Sequence, residues 1–183
     1  MSTLNQVLEE KIEAWRPRTR RLIQEHGDTK IGEVTVGQAI GGARGVTCLV
    51  TDISYLDPEH GIRFRGRTIP ETLAALPKPL GAEMPFVEGH VWLLLTGEVP
   101  TQQQLAGLRD DFRERSTLPQ YVIDVLRAMP WDSHPMTLFS AGVLAMQRES
   151  IFAKAYHDGL DRDRAWEPAL DDALNLMARL PSL

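Results

Sequence analysis

Apolar residues recur at helical spacing along most of this chain. Leu4, Val7, Leu8, Ile12 and Trp15 predict an amphipathic helix over residues 4–16. Pro17 either disturbs that helix or starts a second segment. Thr68-Ile-Pro-Glu opens a short helix that runs to Leu76, with Pro70 in its first turn. Residues 83–96 form a strongly apolar helix that Gly97 caps. Thr101-Gln-Gln-Gln104, just after Pro100, resembles a capping box. The helix it starts has Leu105, Leu108 and Phe112 as its apolar stripe. Pro119 begins the next, with Val122, Val125, Leu126 and Met129 on one face. Ile151 to His157 is a short helix ended by Asp158-Gly159. Trp166, Leu170, Ala173, Leu174, Met177 and Leu180 mark a long one to about Arg179, stopped by Pro181.

Two segments depart from simple amphipathy. Met136 to Met146 is apolar or small on every side, so it is expected to be buried all round, either centrally or under another subunit. Ile62-Arg-Phe-Arg65 alternates apolar and basic, the pattern of a half-exposed strand. Asp57-Pro58 sets up a turn before it and Gly61 permits the exit. Val46 to Val50, with Ile53, supplies a β-prone partner run. The expected fold class is all-α with one small β-hairpin near residues 46–65. There is no internal repeat and no low-complexity tract.

At 183 residues the chain is long enough for one domain that buries roughly 70% of its unfolded surface. A formal net charge of −5 argues against general nucleic-acid binding. The single cysteine, Cys48, excludes an internal disulfide and a cysteine-based zinc cluster. It is expected to fill a core position in a reducing compartment. Glu9, Glu10 and Glu13 make residues 1–15 unlike an acid-poor transit peptide, so the expected location is cytoplasmic. No run reaches the roughly 18 apolar residues of a membrane span.

Candidate chemistry is sparse. Gly41-Gly-Ala-Arg-Gly45 is a flexible turn with one arginine in it. It lacks the spacing of a dinucleotide fingerprint and the Lys-Ser/Thr of a P-loop. Asp161-Arg-Asp-Arg164 is a charged turn in which Arg162 could pair with its neighbouring aspartates. Arg16, Arg18, Arg20 and Arg21 form a basic face, either solvated or touching an anion or partner. Arg63 and Arg65 read as structural hairpin residues and His60 as a turn residue. His134 before Pro135 reads as satisfying backbone groups at a helix start. His157 and Asp158 are sequence neighbours and do not face one another as a dyad would. The five histidines show no metal-ligand spacing, so no metal site is expected, and no catalytic residue is assigned.

Taken in order, several stretches resemble the citrate synthase family, in its eukaryotic-type branch. They are Gly41-Gly-Ala-Arg-Gly45, Leu56-Asp-Pro-Glu-His-Gly-Ile-Arg-Phe-Arg-Gly66, Ile69-Pro70-Glu71, Trp92-Leu-Leu-Leu-Thr-Gly97, Pro100-Thr101, Leu118-Pro119, His134-Pro-Met136, Ala153-Lys-Ala-Tyr156 and Ala178-Arg-Leu-Pro181. They span nearly the whole chain and are specific as a set. The resemblance implies that residues 1–183 are the N-terminal portion of the large helical domain of a chain more than twice as long. It places the small domain and the catalytic histidines and aspartate beyond the match. It also implies that Arg44 and Arg162 contact the phosphates of coenzyme A, the second across a dimer. Coenzyme A enters as part of the substrate acetyl-CoA, and no covalently bound cofactor is expected. The implied partners are a complementary citrate synthase chain carrying the catalytic residues, and a homo- or hetero-oligomer formed through residues 119–147. Neither nucleic acid nor membrane is expected as a partner. The implied activity is condensation of acetyl-CoA with oxaloacetate. The alternative is a non-catalytic helical interaction or CoA-binding module built on the same scaffold.

Overall fold

The structure is a computed structural model that describes residues 3–47 and 49–183. Cys48, expected in the core, lies outside the described residues. Among the described residues the regular structure is helical apart from one two-stranded antiparallel sheet. It divides into two compact units, residues 1–105 and 106–183.

The first unit opens with α1 (Thr3–His26), which runs straight through Pro17. The expected break there is not observed. Proline's fixed φ suits a helix, but it removes one hydrogen bond and its ring crowds the carbonyl four residues back. That carbonyl belongs to Glu13, which is exposed and open to water. A short helix absent from the sequence reading, α2 (Val36–Ile40), is held by a capping box between Thr35 and Gln38.

The hairpin pairs β1 (Ser54–Asp57) with β2 (Gly61–Phe64), with Tyr55 opposite Arg63 and Leu56 opposite Ile62. Residues 46–50 are not the partner strand. A three-residue connection, Pro58 to His60, ties β2 to the residues immediately before it, and local closure wins over β-propensity farther away. Asp57 closes the turn by accepting from the backbone N–H of His60 at 2.8 Å and of Glu59 at 2.9 Å. Gly61 takes φ 81°, as the exit requires.

α3 (Ile69–Ala75) starts with a complete capping box. Thr68 donates its N–H and its hydroxyl to Glu71, at 2.7 and 2.8 Å, and its hydroxyl oxygen accepts from the Glu71 N–H. Both carboxylates sit below their ordinary range. For Asp57 the main cause is the His60 N–H and then that of Glu59. For Glu71 it is the Thr68 N–H and then the Thr68 hydroxyl. A carboxylate lowered by folding binds protons less readily folded than unfolded. Its stabilisation is whole above the ordinary carboxylate range near pH 4, and is lost as pH falls through the lowered folded values. An NMR titration should therefore give the Asp57 and Glu71 side-chain carboxyl carbons midpoints below the ordinary carboxylate range near pH 4. Midpoints at ordinary carboxylate values would contradict these bonds.

α4 (Val87–Thr96) begins later than residue 83, because Pro85 and the turn around Gly81 occupy the start of that segment. Gly97 caps it at φ 79°, as expected. Its core face carries Gly89, Trp92, Leu93 and Thr96, all buried, and α1 packs against it with Leu4 and Leu8 buried. α5 (Gln102–Arg115) has the expected capping box between Thr101 and Gln104, and Leu105 and Leu108 are buried.

In the second unit, α6 (Gln120–Ala128) packs against α7 (Pro135–Met146), and α8 (Ile151–His157) against α9 (Trp166–Arg179). The His134 ring nitrogen Nδ1 accepts from the Met136 N–H at 3.1 Å, so this histidine is a helix cap. Val122 and Leu174 are wholly buried, with Leu170 and Ala178 beside Leu174 on the α9 face. Asp172 of α9 caps α8 from outside. It accepts from the Ser150 hydroxyl at 2.6 Å and from the N–H groups of Ile151 and Phe152 at 2.8 and 3.1 Å. Arg115 ties α5 to α9 through Asp111, Asp171 and Asn175. Burial opposes its charge, but the two carboxylates outweigh that and raise its pKa.

α7 is not buried all round. Met136 is 59% and Leu144 75% exposed, while Gly142 and Met146 are buried. One face meets α6, and the Leu183 side chain packs against α7 at Gly142.

Candidate functional site

Arg44 sits in a backbone turn built by the end of α2. The Ala43 N–H reaches back to the Gln38 carbonyl at 2.7 Å, and Val46 N–H to the Ala43 carbonyl at 3.0 Å. Gly42, Ala43 and Gly45 all have positive φ, at 80°, 57° and 73°. Glycine adopts this conformation without steric cost, whereas for Ala43 it is uncommon. Gln38 donates through its side-chain amide to the Arg44 carbonyl at 3.4 Å. The turn is thus held by backbone and Gln38, and the Arg44 side chain extends from it exposed.

Arg162 opens a 3₁₀ turn, Arg162–Arg164, between α8 and α9. Asp161 caps that turn by accepting from the Asp163 N–H at 3.0 Å. Arg164 forks onto Glu167 at 2.7 and 2.9 Å. Arg162 itself is exposed, and no ion pair to Asp161 or Asp163 holds it among the described residues. Each guanidinium thus offers a planar set of donors suited to phosphate or carboxylate. Arg44 lies in the first unit and Arg162 in the second.

Arg65 has a structural task, as the sequence reading expected. From φ 49° it sends its side chain to the C-terminal end of α4. Nε and Nη2 donate to the Leu94 carbonyl at 2.9 and 2.7 Å, and Nη2 also to that of Leu95 at 3.1 Å. Nη1 meets Asp52 at 2.8 Å. A cation at a helix C-terminus also complements the helix dipole. Arg63 donates to the Gly66 carbonyl at 3.3 Å.

A concavity of about 1160 Å³ lies between α1, the hairpin and the end of α4. Arg16, Arg18 and Arg20 of the basic face line it, as do Arg63 and Arg65. The sequence showed the arginine cluster on α1, but not that the hairpin arginines share a groove with it. Among the described residues no group of three His, Cys, Asp or Glu side chains is placed to hold a metal ion. No described helix is long and apolar enough to cross a membrane.

Comparison with known proteins places these features in a family. The family model described as "Citrate synthase, C-terminal domain" matches residues 42–183. The mitochondrial citrate synthase of Aspergillus niger is 46% identical over 99% of this chain, which spans 38% of that protein. That of Saccharomyces cerevisiae is 47% identical over 98% of the chain and 37% of its own length. The crystal structure of citrate synthase from Pyrobaculum aerophilum superposes with a TM-score of 0.64 over 84% of this chain, at 23% identity, and so shares its fold. The chain thus spans well under half the length of the relatives it matches. The expected cytoplasmic location is corrected, because these curated relatives are mitochondrial. Glu9, Glu10 and Glu13 belong to the folded helix α1, and the composition of a structural helix carries no address. Family model, relatives and shared fold agree: this chain belongs to the citrate synthase family.

Proposed function

We propose that this chain is the N-terminal portion of the large helical domain of a citrate synthase, active as an acyltransferase once a complementary chain or segment completes it. The observation that carries the reading is the identity of 44–47% sustained over 97–99% of this chain, against 37–39% of the relatives' length. The reaction removes a proton from the acetyl-CoA methyl group and forms a carbon–carbon bond to the oxaloacetate ketone carbon. Water then cleaves the citryl thioester, releasing citrate and the CoA thiol. That sequence needs a carboxylate base and hydrogen-bond donors for the enol and the ketone, converging in one closed cleft. The family resemblance assigns those groups to the remaining part. Arg44 and Arg162 are this chain's contribution, as forks for the CoA phosphates.

The test mixes this chain with a polypeptide carrying the remaining family sequence and follows CoA thiol release. Neither chain alone should turn over, and the mixture should. Charge-assisted contacts of about 1.5–3 kcal/mol imply that Arg44→Ala weakens CoA binding by about ten- to a hundredfold in calorimetry. A folded mixture with no thiol release overturns the enzymatic reading. CoA binding that persists in such a mixture would favour the non-catalytic CoA-binding module.

Subunit pairing through residues 119–147 belongs to the same proposal. The exposed Met136 and Leu144, with Val125 and Phe139, leave α6 and α7 with an uncovered apolar face. Sedimentation should show concentration-dependent self-association, and Leu144→Glu should shift it toward monomer. A monodisperse wild-type monomer would contradict this.

A further inference from the structure

The groove between α1 and the hairpin has a composition that the proposed CoA and interface roles leave unused. Its lining includes Lys11, Arg16, Arg18, Arg20, Arg63 and Arg65, with Asp52 as the one carboxylate among the described residues there. In a chain of net charge −5, that is a local reversal of sign. The floor is apolar and aromatic, made by Leu8, Ile12, Trp15, Ile53 and Tyr55. Leu8 is buried, but Trp15, Ile53 and Tyr55 are large apolar groups left exposed.

Not all the cations are equally available. Arg65 is committed to α4 and Asp52, and Lys11 pairs with Glu98 at 2.6 Å. Arg63 uses one donor on Gly66 and keeps the rest of its fork. Arg18 and Arg20 are exposed on α1, and no hydrogen bond or ion pair holds them among the described residues. Arg18 and Arg20 from α1 and Arg63 from β2 therefore line one groove together with Trp15 and Tyr55.

We infer that this groove docks an acidic, apolar-anchored segment of another polypeptide. Charge complementarity selects the acidic residues, because arginine forks pair bidentately with carboxylates. The aromatic floor selects the apolar anchors, since Trp and Tyr bury large area at low entropic cost. Size selects a polypeptide: about 1160 Å³ exceeds the roughly 300–1,000 Å³ of small-molecule sites. A purely polyanionic ligand would use the arginines and leave the aromatic floor wet.

The probe is a labelled peptide of about twelve residues in which Glu alternates with Leu and Phe, titrated against the whole chain by fluorescence anisotropy. Its controls replace every Glu by Lys, or every Leu and Phe by Ser. The acidic apolar peptide should bind, and both controls should bind at least roughly tenfold more weakly. Arg18→Glu with Arg20→Glu should weaken binding about tenfold or more, as should raising salt from about 0.05 to 0.5 M. These two residues are exposed, so far-UV circular dichroism should match wild type. Tyr55→Ser, in the aromatic floor, should weaken binding without altering its salt dependence. Equal binding by the Ser control, or by single-stranded RNA of the same length, would overturn the proposal in favour of a general polyanion surface. Equal binding by wild type and the double variant would overturn it outright.

Discussion

Trp92→Ala is expected to cost about 3–5 kcal/mol of stability, a large share of the roughly 5–15 kcal/mol that keeps a domain folded. Trp92 is 1% exposed, in the middle of α4, with Leu93 fully buried beside it. Truncation would remove the largest buried side chain of the unit and leave a cavity that neighbouring helices close only in part. The indole carries a second, opposing contribution. Its Nε1 is buried and has no hydrogen-bond partner among the described residues, which costs about 1–3 kcal/mol in the native state. Trp92→Phe loses some apolar area but relieves that cost. Urea denaturation followed by circular dichroism should therefore find Trp92→Phe close to wild type and Trp92→Ala far below it. Equal large losses in both variants would show that the indole nitrogen is satisfied.

The second large effect belongs to Arg65. Its side chain is 15% exposed and joins the hairpin to the end of α4 through two carbonyls and Asp52. Arg65→Met keeps much of the stem but removes every donor. Breaking charge-assisted bonds of this kind costs about 1.5–3 kcal/mol, with the Leu94 and Leu95 carbonyls left to find water. Arg65→Lys retains the charge near the helix end but not the planar fork, so it should recover only part of the loss. The same urea experiment reads this directly. Full recovery by lysine would mean that the charge alone matters and the fork geometry does not.

Much of this architecture could be read from the residues because its signals are local. The capping boxes at Thr68 and Thr101, the αL glycine at residue 97 and the stripes of α5 and α9 each involve residues within one or two turns of one another. Readings failed where the deciding contact was distant, or where a local rule had a cheap exception. Pro17 lies inside α1 four residues after Glu13, an exposed residue whose carbonyl water can reach. The strand expected at residues 46–50 lost to Ser54–Asp57 because a short connection closes more readily. Arg65 was recognisable as structural, but its partners lie 29 and 30 residues away, and no spacing rule reaches them. Arg44 and Arg162 were singled out by family resemblance. The structure adds that both side chains are presented on tightly organised turns.

The clasp of Asp172 on the start of α8 has a consequence for chain entropy. Seven residues are too few for a helix to persist in water by itself. The three bonds from Asp172 close a loop from Ile151 to the middle of α9, and Arg162 lies inside it. Opening the clasp would return that whole segment to a broad ensemble, and any ligand seeking Arg162 would first have to gather it again. A carboxylate ten residues beyond the arginine thereby sets how firmly the segment that carries it is held.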